Sequence, residues 1–118
     1  MKKLLFFLIL PLIILACNQE VGTMSSVSPT GEHQVELSAS KTIAEPMQVT
    51  VKYSSKGKVT AQKVQVFASE INYENADILW ATDVDCNISF LEQDGTKKGL
   101  LISNTNGVIG FQSYLIED

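Results

Sequence analysis

Arginine is absent from the 118-residue sequence, and histidine occurs once, at His33. Proteins that grip phosphate groups or read base edges depend on arginine and on basic patches. After residue 3, seven lysines stand against thirteen acidic residues, a net charge of −6. We therefore predict no nucleic-acid partner and no attraction to an anionic membrane surface by charge.

Cysteine is almost as scarce, with Cys17 and Cys86 as the two examples. In the stretch DVDCNISF, Cys86 alternates with polar residues and shares its side of a predicted strand with Ile88 and Phe90. This pattern indicates a buried packing residue, and burial suppresses ionisation of a thiol. The alternative is a reactive thiol that pairs with His33 in the folded chain.

Sequence motifs for catalysis and metal binding are also lacking. There is no Gly-x-Ser-x-Gly elbow, and we interpret His33 as a solvated residue near the start of a strand. Asp83, Asp85 and Asn87 have the spacing that opens an EF-hand loop, but that loop needs glycine at its sixth position and glutamate at its twelfth. We predict no catalytic residue, no metal site and no cofactor.

Long apolar runs are limited to one, from Leu4 to Ala16, directly after Lys2 and Lys3. The run has 13 residues, whereas a helix needs about 18 or more apolar residues to span a bilayer. A charged start, a short apolar run and a small residue before a cut site are typical of a secretory signal. Residues 1–16 are therefore predicted to be a signal peptide.

The residues ILAC, Ile14 to Cys17, resemble the lipobox of bacterial lipoproteins. This resemblance implies cleavage after Ala16 and attachment of a diacylglycerol, with palmitate-type acyl chains, to Cys17. Two or three acyl chains hold a protein durably at a membrane. The chain is thus similar to the small bacterial lipoproteins of the cell envelope, and Asn18 after the cysteine favours the outer membrane in a Gram-negative cell.

The remainder of the chain predicts a single all-β domain. Residues 17–29, the lipidated cysteine and the polar stretch NQEVGTMSSVSP, are expected to be a flexible tether. In residues 30–118, short alternating segments such as MQVTVKYS and VIGFQSYLI are separated by turn signals every 8–12 residues. We predict one antiparallel β-sandwich of seven or eight strands.

Charge is unevenly distributed along the chain. No basic residue lies between Lys63 and Lys97, whereas seven acidic residues do: Glu70, Glu74, Asp77, Asp83, Asp85, Glu92 and Asp94. A concentrated negative field speeds encounter with a basic protein. We predict a partner-binding face that includes Asp77, Asp83, Asp85 and Trp80, the alternative being a merely solubilising surface.

These features together predict a lipid-anchored binding or accessory protein of the cell envelope without catalytic activity. One alternative is an inhibitor of a basic envelope enzyme such as lysozyme, because membrane-bound lysozyme inhibitors are similar in size, anchor and β content. Those inhibitors usually carry a disulfide and a Ser-Gly-x-x-Tyr loop, neither of which is present here. The other alternative is a small envelope hydrolase that uses Cys86 or a pair of carboxylates.

Overall fold

The structure, a computed structural model, describes residues 19–42 and 46–116. The predicted signal peptide and Cys17 lie outside the described residues. Within the described ranges the chain forms strands and no helix. The eight strands are β1 (Gln19–Val27), β2 (His33–Lys41), β3 (Met47–Ser55), β4 (Lys58–Val66), β5 (Ala76–Trp80), β6 (Cys86–Leu91), β7 (Lys97–Thr105) and β8 (Val108–Ile116).

The strands form two antiparallel sheets of four, in the order β1-β2-β3-β4 and β5-β6-β7-β8. Each sheet is a meander in which neighbours in sequence are neighbours in space. Two-residue turns close the β3–β4 and β7–β8 hairpins at Lys56-Gly57 and Asn106-Gly107, and all four residues have positive φ. Glycine and asparagine tolerate this backbone region, which explains the tight turns. The prediction of an all-β domain is confirmed, with eight strands.

The central strands of both sheets alternate between buried and more exposed residues. On β3, for example, Met47, Val49, Val51 and Tyr53 are fully buried, whereas the residues between them face outward. Strand β6 does the same with Cys86, Ile88 and Phe90. The inward residues of the two sheets belong to one hydrophobic core.

Strand β1 replaces the flexible tether that the sequence predicts. Residues 19–27 pair with β2 from Gln19 opposite Lys41 to Val27 opposite Gln34. The register shifts between Glu20 and Thr23, which interrupts the alternation along the strand. That irregularity explains why the sequence shows no two-residue period there, although Met24 is buried in the core.

The segment from Asp83 to Asp85 lies outside the strand that was expected to contain it. Strand β6 begins only at Cys86, because residues 81–85 form a turned connection from β5. The Thr82 hydroxyl accepts hydrogen bonds from the backbone N–H groups of Val84, at 3.2 Å, and Asp85, at 3.0 Å. Such a hydroxyl turn competes with strand pairing and shortens β6 at its start.

Candidate functional site

The four residues predicted to bind a partner do not form one face. Asp77 and Trp80 are an odd number of positions apart on β5, so their side chains point to opposite sides of the sheet. Asp77 is exposed and Trp80 is partly buried against the core. Asp83 and Asp85 lie in the connection that follows β5, roughly 20 Å along the chain from Asp77.

Asp83 joins two loops at one end of the molecule. Its Oδ1 accepts hydrogen bonds from the Thr30 backbone N–H, at 2.9 Å, and from the Thr30 hydroxyl, at 2.7 Å. These donors, the hydroxyl first, lower the pKa of the Asp83 carboxyl below its usual value. Thr30 belongs to the β1–β2 loop, 53 positions away in sequence. We call the contact between these two loops the loop clasp, with Ser28, Thr30, His33 and Asp83 as its members.

His33 is the buried member of the loop clasp. The expectation of a solvated histidine is wrong, because its side chain is only 5% exposed. The imidazole stacks on the Tyr53 ring with 5.8 Å between centroids, and its Nε2 lies 3.8 Å from Asp83 Oδ2. The backbone N–H of His33 donates to the Ser28 hydroxyl at 3.1 Å. Sequence reasoning missed this position because the covering loop comes from a remote part of the chain.

Two aromatic residues connect the sheets beside the loop clasp. The Tyr53 hydroxyl donates to the Val84 carbonyl at 2.8 Å, and burial raises the pKa of Tyr53. The Trp80 indole N–H donates to the Ser26 hydroxyl of β1 at 2.9 Å. Tyr53 and Trp80 pack with 6.2 Å between ring centroids. Their polar atoms are therefore used to hold the fold together, which is the usual state of buried tyrosine and tryptophan.

The contacts of the loop clasp fit a structural role better than a metal-binding or catalytic role. Ligand atoms of Glu32, His33 and Asp83 lie within 4.8 Å of one another, close enough for the three residues to hold a metal ion together. A histidine that ligates through one ring nitrogen normally donates a hydrogen bond from the other, but Nδ1 of His33 is buried without a partner in the described structure. Both contacts of the Asp83 carboxylate with Thr30 restrain the loops directly.

Cys86 faces the core, as the alternation predicts. It is fully buried, and burial raises the pKa of its thiol to about 12. The thiolate is the nucleophilic form of cysteine, so this environment disfavours attack on a substrate.

A second group of residues lies where the chain crosses from the first sheet to the second. The connection 67–75 leads from β4 past β1, where Ile71 donates its backbone N–H to the Val21 carbonyl at 2.9 Å. The turn between β6 and β7 meets the same connection, since Gln93 donates its N–H to the Phe67 carbonyl at 2.8 Å. We call this region the acidic end; its exposed carboxylates are those of Glu70, Glu74, Asp77 and Asp94.

Glu92 belongs to the same acidic stretch of the sequence, but its side chain is buried and does not contribute to this surface. It is 5% exposed, accepts the Phe67 backbone N–H at 2.8 Å and lies 3.2 Å from the Lys98 ammonium. The same ammonium lies 5.4 Å from the centre of the Phe67 ring. Lys98, which follows the acidic stretch in sequence, therefore places its positive charge next to Glu92 in the folded chain.

Two clefts open on the acidic end. The larger, about 520 Å³, is lined by Tyr73, Glu74, Asp77, Ser89 and Lys97 among others. The smaller, about 240 Å³, is lined by Glu70, Asn72, Glu74 and Gln93 among others. Tyr73 shares the lining of the larger cleft with Glu74 and Asp77, and 80% of its surface is exposed. An exposed aromatic ring beside carboxylates is a pattern typical of interface anchors.

Comparison with protein-family models, with curated proteins and with solved structures finds no match to this chain. Among the described residues, no helix is long and apolar enough to cross a membrane.

Proposed function

We propose that this chain is a lipid-anchored, non-catalytic binding module of the bacterial cell envelope, which docks a basic protein through its acidic end. The observation that carries the proposal is the highly exposed Tyr73, which lines one cleft with the exposed residues Glu74 and Asp77. Such a surface combines an aromatic anchor with a field that attracts cationic partners.

The proposed architecture is a β-sandwich with the two sheets packed face to face. The support is the shared core, to which both sheets contribute their alternating buried residues. Further support comes from hydrogen bonds that join the sheets at both ends, from Trp80 to Ser26 and from Lys98 to the Gln65 carbonyl. Such a rigid scaffold would hold the acidic end in one shape.

The proposed anchor is the lipid on Cys17. Its support is the signal-like start of the chain and the ILAC motif. Strand β1 begins at Gln19, so only one residue separates Cys17 from the folded domain. The domain would therefore lie close to the membrane surface rather than on a long tether.

The loop clasp supports a non-catalytic role. Ser28, Thr30 and Asp83 are engaged with one another and with the backbone of His33. In a nucleophilic triad the imidazole stands between the hydroxyl and the carboxylate. Here the carboxylate instead stands between the two, with its Oδ2 2.7 Å from the Thr30 hydroxyl and 3.8 Å from Nε2 of the imidazole.

The test is crosslinking of the lipidated chain in its own cells, followed by mass spectrometry. A variant with Glu74→Lys and Asp77→Lys reverses the charge of the acidic end. The matched control has Glu20→Lys and Glu36→Lys, which make the same change at exposed positions of the first sheet. We expect a basic protein to be captured by the wild type and the control, with about tenfold less captured by the acidic-end variant.

Three results would contradict the proposal in different ways. If both variants capture the basic protein equally, the acidic end is not part of the binding surface. If no specific protein is crosslinked to the wild-type chain, the proposed binding role is wrong. If the Cys17→Ala variant stays in the membrane fraction, the lipid on Cys17 is not the anchor. The crosslinking results would still test the docking face separately.

A further inference from the structure

Strand β8 forms the open edge of the second sheet. It pairs with β7 on one side, and none of the strands within residues 19–42 and 46–116 pairs with it on the other. Its nine residues, VIGFQSYLI, carry no charge and no proline. Natural proteins usually protect such an edge with charge, because its unpaired backbone groups are a template for another strand.

The other three edges differ from β8 in this respect. Strand β4 carries Lys58 and Lys63, β1 carries Glu20, and β5 has Asp77 and only five residues. Charges of one sign on an edge strand oppose pairing of that strand with its own copy. Among the described edge strands, β8 is the one without a charged residue, so no register of its pairing with a second copy sets like charges of the two β8 strands against each other.

The free hydrogen-bonding groups of β8 belong to its odd-numbered residues. Asn106 and Gly107 form the two-residue turn, so Thr105 and Val108 are the closing pair and exchange backbone hydrogen bonds. In an antiparallel ladder every second pair does the same, which directs the backbone groups of Gly110 and Gln112 toward β7. The backbone groups of Phe111 and Ser113 consequently point to the open edge.

We propose that two copies of this chain pair antiparallel through β8, with the twofold axis at Gln112, to form one continuous eight-stranded sheet. This register makes Phe111 face Ser113 of the second copy as a hydrogen-bonded pair, which matches the direction of the free backbone groups. A twofold axis is the commonest symmetry of soluble homo-oligomers, and it brings the same surface of both copies together.

Side-chain sizes favour the same register. On the outer face, Tyr114 of one copy lies opposite Gly110 of the other. Tyr114 already covers a glycine within its own chain, since a Cβ added to Gly99 would collide with the Tyr114 ring. The ring thus leans toward β7 and away from the open edge, with its hydroxyl donating to Asn87 Oδ1 at 2.6 Å, and Gly110 opposite it adds no side chain that would keep the two strands apart. Shifting the axis by one residue would instead place Tyr114 opposite Val108.

The inner face gains burial from the same pairing. Leu115, 65% exposed, lies opposite Ile109 of the second copy, and Phe111 lies opposite a serine. A cleft of about 370 Å³ adjoins this edge, lined in part by Val64, Ser113 and Leu115. A second β8 strand would cover part of this apolar surface, which favours association.

Oxidative crosslinking of the full chain, as its cells process it, tests the register. In Gln112→Cys the two new sulfurs meet across the axis, where Cα atoms in a non-hydrogen-bonded pair are about 4.5 Å apart and within disulfide range. In the control Ser113→Cys, the like residues are offset along the strands by about 7 Å, beyond that range. The wild-type chain, with Cys17 and Cys86, provides the background.

We expect about tenfold more disulfide dimer from Gln112→Cys than from Ser113→Cys. Equal yields from the two variants would indicate random collision and overturn the proposal. A disulfide between Gln112→Cys and a different protein would also overturn it, because the edge would then serve another partner.

Sedimentation equilibrium of the full chain gives an independent test. Gln112→Lys places two ammonium groups face to face across the axis and is expected to weaken dimerisation about tenfold. Leu101→Lys, opposite Gln112 on β7 and on the same outer face, adds the same charge one strand away from the edge and is the control. A monomeric wild type, or equal weakening by both variants, would contradict the pairing. Neither result would bear on the acidic end.

Discussion

Cys86 illustrates how burial decides the chemistry of one side chain. Its pKa of about 12 leaves roughly one thiol in ten thousand ionised at pH 8. We predict that the native chain does not react with a thiol reagent at pH 8 and that the denatured chain reacts at Cys86. With Cys17 lipidated, the denatured chain shows one reactive thiol. A second reactive thiol after denaturation would contradict lipidation, and rapid reaction of the native chain would contradict the burial of Cys86.

Glu92 and Lys98 form a largely buried ion pair, with 3% and 28% of their side chains exposed. Removing the cation by Lys98→Met leaves a buried carboxylate without its partner. We predict a loss of about 2–3 kcal/mol in the free energy of unfolding, measured by urea denaturation. Adding Glu92→Gln removes the uncompensated charge and should restore part of the loss. If the double variant is as unstable as the sum of the single changes, the two residues are not coupled.

The β1–β2 loop depends on the ionised form of Asp83. Because Thr30 lowers the pKa of Asp83 in the folded chain, the folded state is stabilised at pH values above the unfolded pKa of about 4. That stabilisation is lost as the pH falls through the lower folded pKa. The loop clasp is therefore expected to weaken in strong acid.

Thr30→Ala tests this dependence. We predict that the variant is less stable than the wild type at pH 7 and that the difference narrows at pH values below both pKa values of Asp83. Thr23→Ala, an exposed threonine on β1, is the control for the loss of a hydroxyl. Thermal unfolding at neutral and acid pH measures both. A difference that does not change with pH would show that Thr30 acts independently of the charge on Asp83.

The positions of the strands are the feature of the structure that the sequence pattern predicts best. β3 and β8 lie where the alternation and the flanking turns predict them, because strand formation and tight turns depend on residues only a few positions apart. Strand β1 was missed because its irregular register removes the alternation. The start of β6 was placed too early because the alternation continues into a turn that the Thr82 hydroxyl holds.

Across the molecule, the lysines of β4 lie apart from the exposed carboxylates of the acidic end, whereas Lys97 lines the same cleft as Glu74 and Asp77. Lys56 and Lys58 line a cleft beside the β3–β4 turn, and Lys63 lines the cleft beside β8. The exposed carboxylates at 70–77 lie on the connection that passes β1, across the sheets from β4. A basic partner is therefore steered toward the acidic end and away from β4. This polarity would orient the partner before any side chain makes contact.

Local pattern alone predicted the all-β class, the positions of most strands and the inward direction of Cys86. These features follow from side chains that alternate with a period of two, which the sequence displays directly. Only the tertiary structure decided the burial of His33, the contact of Asp83 with Thr30 and the pairing of Glu92 with Lys98. Each of these depends on the order in which strands are arranged, because that order brings separate loops together. The tertiary structure likewise decided that β8 is an unprotected edge, because an edge strand is one that has a neighbouring strand on one side only.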